Sequence, residues 1–271
     1  MQSALELARQ VLCAAEPAGK VAAAQRLAEA WDEGIPIGGA PANLADNPAR
    51  PARPLLVDPF AVKRRRLGTE SGRAALLHAV AHIEFNAIDL AADMLARFTR
   101  DPRIDDKRRQ EFCADWISVC ADEARHFKLL TNRMTDMGVT YGDHPAHNGL
   151  WEAALATKHN FAARLAIAPL VLEARGLDVT PAMINKLSQN RDDESADVLR
   201  IIYDEEVRHV AIGRKWFAEV AKNADTTEVE QFHALVRKYF KGALKPPFNV
   251  EARTKAQLPR QFYEPLAKAR S

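Results

Sequence analysis

Apolar residues recur along most of the chain at intervals of three and four, the period of an amphipathic helix. The pattern predicts helix over 3–33, broken near Pro17 and Gly19, then over 72–98, 104–137, 150–175, 181–190, 192–222 and 226–241. Expected stops are Gly138 after the second long helix and Gly176 after the third. Thr180-Pro181 reads as an N-cap followed by a first-turn proline. Between 34 and 72 the period is lost. Pro36, Pro41, Pro48, Pro51, Pro54 and Pro59 leave neither helix nor strand ladder there. That segment reads as an extended stretch wrapped on the surface. No stretch alternates convincingly with period two. The expectation is an all-α chain in three parts: N-terminal helices with the proline-rich segment (1–71), a long-helix bundle (72–222), and a C-terminal helix with a basic tail (223–271).

The apolar stripes are interrupted in a repeated way. On 104–137, Phe112, Trp116, Val119, Glu123, Phe127, Leu130 and Met134 share one face, so Glu123 sits among apolar residues. His126 follows one turn later on nearly the same face. On 192–222, Leu199, Ile202, Glu206, Val210, Gly213 and Phe217 share a face, with His209 three residues after Glu206. On 72–98 the stripe Leu77, Val80, Glu84, Ile88, Ala91, Leu95 contains Glu84; on 150–175, Ala162, Ala166, Pro169 and Glu173 align. Each long helix thus places one glutamate in its buried face, and two add a histidine.

An unpaired carboxylate in an apolar core is costly and tends to stay protonated. Four such acids with two imidazoles can be neutralised by two divalent cations. Glu84, Glu123-x-x-His126, Glu173 and Glu206-x-x-His209 form the ligand pattern of a carboxylate dinuclear site in a four-helix bundle. Hard oxygen donors with one imidazole per ion suit iron, manganese or a mixed pair. Helix lengths agree. Glu84 lies about 14 residues before its helix ends and Glu123 about 19 after its own begins, roughly 21 and 29 Å, so the two can meet in an antiparallel hairpin. The connector after Gly138, about 11 residues and roughly 36 Å when extended, is long enough for a crossover to the third helix.

Neighbouring residues add expectations. Ligand histidines need an acceptor on the second ring nitrogen; Asp122 could serve His209, and Glu205 could serve His126. Tyr203, one turn before Glu206, is a candidate hydrogen donor or redox residue beside the metals, with a packed core tyrosine as the alternative. Cys120 is either a pocket-lining thiol or a small buried residue. His78 and His82 point away from Glu84 and read as structural or surface groups. Pro169 is expected to kink the third helix.

Composition narrows the classes. With 38 Lys+Arg against 36 Asp+Glu, the 271 residues carry a net charge near +2, too little for a whole-surface nucleic-acid field. Only the run Lys63-Arg64-Arg65-Arg66 keeps an RNA contact open. The longest clean apolar run, Leu165–Leu172, is far short of a membrane span. Glu6, Arg9 and Gln10 interrupt any signal-peptide core. Cys13, Cys113 and Cys120 form neither a disulfide framework nor a zinc pair, so a reducing cytoplasm is the expected location.

The segments HAVAHIEFNAIDLA, DEARHF, EARGLDVTP and DEEVRHVAIG resemble the ferritin-like superfamily, and most closely an uncharacterised bacterial family called DUF455, over roughly 70–215. The DE-x-RH form also resembles di-iron carboxylate oxygenases; the second copy has Glu205 where the fuller pattern has Asp. The resemblance implies a ferritin-like four-helix bundle with a long crossover and extra terminal helices. It implies the metal ligands Glu84, Glu123, His126, Glu173, Glu206 and His209, and no settled substrate.

Two reduced irons sharing carboxylates can supply two electrons to O2. The first functional reading is therefore an O2-dependent oxygenase or hydroxylase, acting on a small molecule and fed by an external electron donor. A modified nucleoside in tRNA is one version of that substrate. Alternatives are a ferroxidase or peroxide-reducing protein, as a homo-oligomer if it stores iron, and a metal-stabilised bundle without turnover.

Overall fold

The computed structural model describes residues 2–41, 44–61, 66–222 and 225–267. Of the basic run, Lys63, Arg64 and Arg65 lie outside the described residues. The chain is all-α, and the described residues contain no strand. Its helices are α1 (Ala4–Cys13), α2 (Pro17–Asp32), α3 (Glu70–Phe98), α4 (Arg109–Asp136), α5 (Gly149–Thr157), α6 (Phe161–Ile167), α7 (Ala174–Gln189), α8 (Asp193–Ala221), α9 (Glu228–Tyr239), α10 (Val250–Lys255) and α11 (Arg260–Tyr263). Two compact units divide them, one of residues 1–151 with 186–198, the other of 152–185 with 199–271. No described helix is long and apolar enough to cross a membrane.

In the first unit α3 and α4 pack as an antiparallel pair. Thr99 approaches Cys113 at 3.8 Å, the Cys120 thiol reaches the Ile88 carbonyl at 3.7 Å, and His126 meets Glu84 at 3.2 Å. Cys120 is thus a small buried residue bonded to backbone. Thr69 starts α3 by accepting from Gly72 N–H at 3.1 Å. Leu77, Phe85, Ile88 and Leu95 of α3, with Phe112, Val119, Phe127 and Leu130 of α4, form the core. Helices α1 and α2 cover the pair and are held by an ion pair that periodicity does not reveal. Lys20 Nζ, on α2, donates to Asp89 Oδ1 on α3 at 2.5 Å and to the Val11 carbonyl on α1 at 3.0 Å. Among its described residues, the proline-rich segment has no α-helix before α3 begins at Glu70. It is tied to the connector by Val57 N–H to Ala146 O (2.8 Å) and Ala146 N–H to Leu55 O (3.0 Å).

His78 and His82 are structural, and both are buried. The Gly142 N–H donates to His78 Nε2 at 2.9 Å, and the ring stacks on Tyr141 with centroids 5.4 Å apart. Burial, then the neighbouring His144, pushes His78 down to about 4, against a smaller opposing pull from Asp143. Burial, then Arg50 and His78, likewise lowers His82 to about 4. A histidine held neutral by the fold adds stability that is full above pH 6.5 and is lost as pH falls from there toward 4. For His78 this should be of order 2 kcal/mol. Urea unfolding between pH 7 and 4 should therefore be shallower in His78→Gln, which keeps an acceptor for Gly142 and cannot titrate. An unchanged pH slope in that variant would refute the assignment.

In the second unit the expected 150–175 helix is broken. Asn160 opens α6 by accepting from Ala163 N–H at 3.0 Å. The buried Arg164 takes over the end of α5, donating to the Ala154 carbonyl at 2.7 Å and to the Thr157 hydroxyl at 3.0 Å. At Pro169, where a kink is expected, Ala168–Glu173 widens into one stretch of π-helix, which absorbs the missing N–H. Gly176 and Pro181 then fail to act as stop and start, because α7 runs through both. The buried Ala174, Leu177, Ile184 and Leu187 reward a continuous helix more than the two breakers cost. The expected tail also folds. Buried Arg253 on α10 pairs with Asp178 on α7 at 2.7 Å. Phe232 of α9 packs on Phe217 and Phe262 at 5.7 and 5.2 Å between ring centroids.

Candidate metal centre

Glu84 and Glu123 face each other because the α3–α4 hairpin is in the register that the helix lengths allow. In the first unit each of Glu84, Glu123 and His126 offers one ligand atom, and these atoms lie within 4.8 Å of one another. The His126 Nδ1 edge is 3.2 Å from Glu84 Oε2 and 3.5 Å from Glu123 Oε2. All three side chains are buried, with relative exposures of 4%, 1% and 0%. Glu123 and His126 lie three apart on one helix, so a single turn of backbone fixes their spacing.

The electrostatics fit a cation. Burial, then the charge of Glu123, drives the Glu84 carboxyl well above the usual carboxylate range, and His126 only partly opposes this. For His126, burial works against the charged ring. Hydrogen bonds to Glu123 and Glu84, and their negative charge, outweigh it and raise the imidazole to about 11. A proton on Nδ1 therefore sits where two acidic oxygens converge. A divalent ion there would replace it, take two hard oxygens and one imidazole as ligands, and remove the like-charge cost. These three residues could hold one divalent ion.

The second unit repeats the local motif. Glu206 and His209 are one turn apart on α8, with His209 Nδ1 3.4 Å from Glu206 Oε1 and the ring fully buried. Gly213, on the same stripe, packs directly against the Pro169 ring; a methyl there would overlap it. Glu173 closes the π segment four residues after Pro169 and is half-buried. Glu84, Glu123 and Glu206 lie on the long helices that the sequence assigns to them, α3, α4 and α8, whereas Glu173 lies on the π segment of the broken third helix.

The Tyr203 hydroxyl accepts from Asn249 Nδ2 at 2.8 Å and lines a cleft with Asp204, Glu251 and Lys255. That contact comes from the C-terminal segment, which periodicity leaves as a tail. Asp122 accepts from Arg125 at 3.1 Å, and Glu205 is half-buried. The groups that sequence reasoning passes over are polar side chains around α3. Asn86, Asp89 and Asp93 are all buried there, and Asp93 is paired with Arg97 at 2.9 Å.

A family model described as "Protein of unknown function (DUF455)" matches residues 13–264, well beyond the 70–215 of the motif resemblance. A Haemophilus influenzae protein described as uncharacterized is 42% identical over 208 residues, covering 77% of this chain and 72% of its own length. No solved structure matches.

Proposed function

Because the chain belongs to the DUF455 family, whose description assigns no function, its activity must be read from its own residues, and we propose a dinuclear metal-carboxylate oxidoreductase. The carrying observation is the buried convergence of Glu84, Glu123 and His126. The second triad, Glu173, Glu206 and His209, supports it by repeating the Glu-x-x-His turn with a matching nitrogen-to-oxygen spacing, 3.4 Å against 3.5 Å. In this reading the six residues hold two ions, iron or manganese, within a ferritin-like bundle. Bound there, the pair would supply two-electron oxidation by O2, of the oxygenase or hydroxylase type, with electrons from an external donor.

The chain's own contribution is to bind, to orient and to exclude water. Glu84 and Glu123 present oxygens from opposing helices, and the hairpin fixes their separation. His126 and His209 aim Nδ1 at their motif glutamates. Asp122 and Glu205 are the proposed acceptors for the second ring nitrogens. Burial keeps solvent from the oxygens of Glu84 and Glu123, which strengthens the charge interactions there.

Anaerobic loading with ferrous ion, followed by a metal count and then by O2, tests the proposal. The expected result is two irons per chain and an oxidation followed by absorption and Mössbauer spectra. Fewer than two tightly bound ions would reject the dinuclear site. Two ions inert to O2 would reject the oxidoreductase.

A further inference from the structure

We infer that the first unit holds a second ligand site, a pocket built for a small organic carboxylate with an apolar skeleton. It lies where three sequence-distant pieces meet: the proline-rich segment, one face of α3 and the connector after α4. Its cavity is about 200 Å³, and its lining combines the polar Arg50, His82 and Tyr141 with the apolar Pro54, Leu55 and Phe85. That is below the roughly 300–1,000 Å³ of sites for drug-sized ligands, so the ligand is small.

The polar lining presents donors. Arg50 Nη2 donates to Asn86 Oδ1 at 2.6 Å, which fixes the amide so that Nδ2 faces His82. Asn86 Nδ2 donates to the His82 carbonyl at 2.6 Å and lies 3.1 Å from His82 Nε2. His82 Nε2 is therefore the acceptor, and the ring proton is on Nδ1. Nδ1 lies 2.8 Å from the Tyr141 hydroxyl and donates to it. The Tyr141 O–H is then left to donate elsewhere, and the pocket borders it. Burial raises the Tyr141 phenol well above its ordinary range, which keeps that proton in place.

Arg50 supplies the charge. Its guanidinium lies over the Trp151 ring, 5.9 Å from the centroid, and among the described residues its hydrogen bond goes to a neutral amide. No described carboxylate pairs with it directly. Asp89 is a more distant negative neighbour and is already engaged by Lys20. Lys20, Arg50 and Asp89 together leave one positive charge in excess. A guanidinium fork and a phenol O–H match the two oxygens of a carboxylate. Leu55, 64% exposed, with Pro54 and Phe85 would cover an apolar skeleton. The recognition uses no metal ligand, so it stands whether or not the Glu84–Glu123–His126 cluster is loaded.

Isothermal titration of the full chain with benzoate, benzamide and inorganic phosphate tests the site. Benzoate should bind saturably, with benzamide and phosphate each about tenfold weaker or worse. Arg50→Gln should weaken benzoate roughly tenfold or more, and Tyr141→Phe, which keeps the ring packing, about three- to tenfold. Metal content should be unchanged in both variants, which separates this site from the metal centre. The inference is overturned if benzoate does not bind, or if benzamide or phosphate binds as well as benzoate. It is also overturned if folded Arg50→Gln and Tyr141→Phe proteins both bind benzoate like the parent.

Discussion

Replacing Glu123 with glutamine is expected to abolish tight metal binding while leaving the metal-free fold as stable as before, or more so. The two halves of that result have one cause. Glu123 and Glu84 are buried acids that share His126 as a partner, and Glu84 is pushed far up by burial and by the charge of Glu123. In the metal-free protein one of the two charges is a liability that the single imidazole cannot fully offset. An amide has nearly the same shape and no charge, so the cost to the empty fold should stay within about 1 kcal/mol. For the loaded protein the same change removes an anionic ligand. The parent should gain about 2.7 kcal/mol when free metal is a hundredfold above its dissociation constant. Glu123→Gln should gain almost nothing. Thermal unfolding with and without ferrous or manganous ion, beside a metal count, reads both effects. Metal retained at the parental level would remove Glu123 from the ligand set. A metal-free variant weakened by several kcal/mol would make Glu123 a structural residue instead.

The candidate site is legible in the sequence because its residues obey a local rule. A glutamate inside an apolar stripe is conspicuous, and Glu-x-x-His is one helical turn, so Glu123–His126 and Glu206–His209 can be found without knowing what packs on them. The predicted helix lengths allow the α3–α4 register, and the start of α4 at Arg109 rather than near 104 brings Glu84 and Glu123 to equal distances from the turn. What escapes is pairing between distant segments. Lys20 and Asp89 are 69 residues apart and each looks ordinary on its own helix. From Glu84 to Ala96 every residue of α3 is buried, so its acids Asp89 and Asp93 lie on no single stripe and the test that finds Glu84 cannot rank them. The break at Lys158–Asn160 and the passage of α7 through Gly176 and Pro181 have a similar origin. Arg164 capping α5 and the buried face of α7 override local punctuation. The Arg50–Asn86–His82–Tyr141 chain likewise exists only once three segments are brought together.

Lys20→Met is expected to cost about 3–5 kcal/mol, the penalty for leaving one member of a buried ion pair without the other. Both side chains are wholly inaccessible, and Lys20 Nζ is the contact that reaches the Asp89 carboxylate, 2.5 Å away. The same ammonium binds the Val11 carbonyl and lies over the Phe85 ring, 5.3 Å from its centroid, so it joins α1, α2 and α3 at one point. Burial already raises the Asp89 carboxyl to about 6 despite the opposing pull of Lys20. Without Lys20 that pull vanishes and the carboxyl rises further. A carboxyl whose folded pKa is raised stabilises the fold only while protonated. Its contribution is full below the unfolded value near 4 and is lost as pH rises through the folded one. The Lys20→Met deficit should therefore be larger at pH 8 than at pH 5, the reverse of the acid sensitivity from His78. Adding Asp89→Leu removes the stranded acid, and the double variant should recover most of the loss and its pH dependence, because an apolar pair of similar volume replaces a buried ion pair at little cost. Urea unfolding of both variants at the two pH values measures this. If the double variant is no more stable than the single, the energy lies in packing around the lysine stem and its bond to Val11, not in the pairing with Asp89.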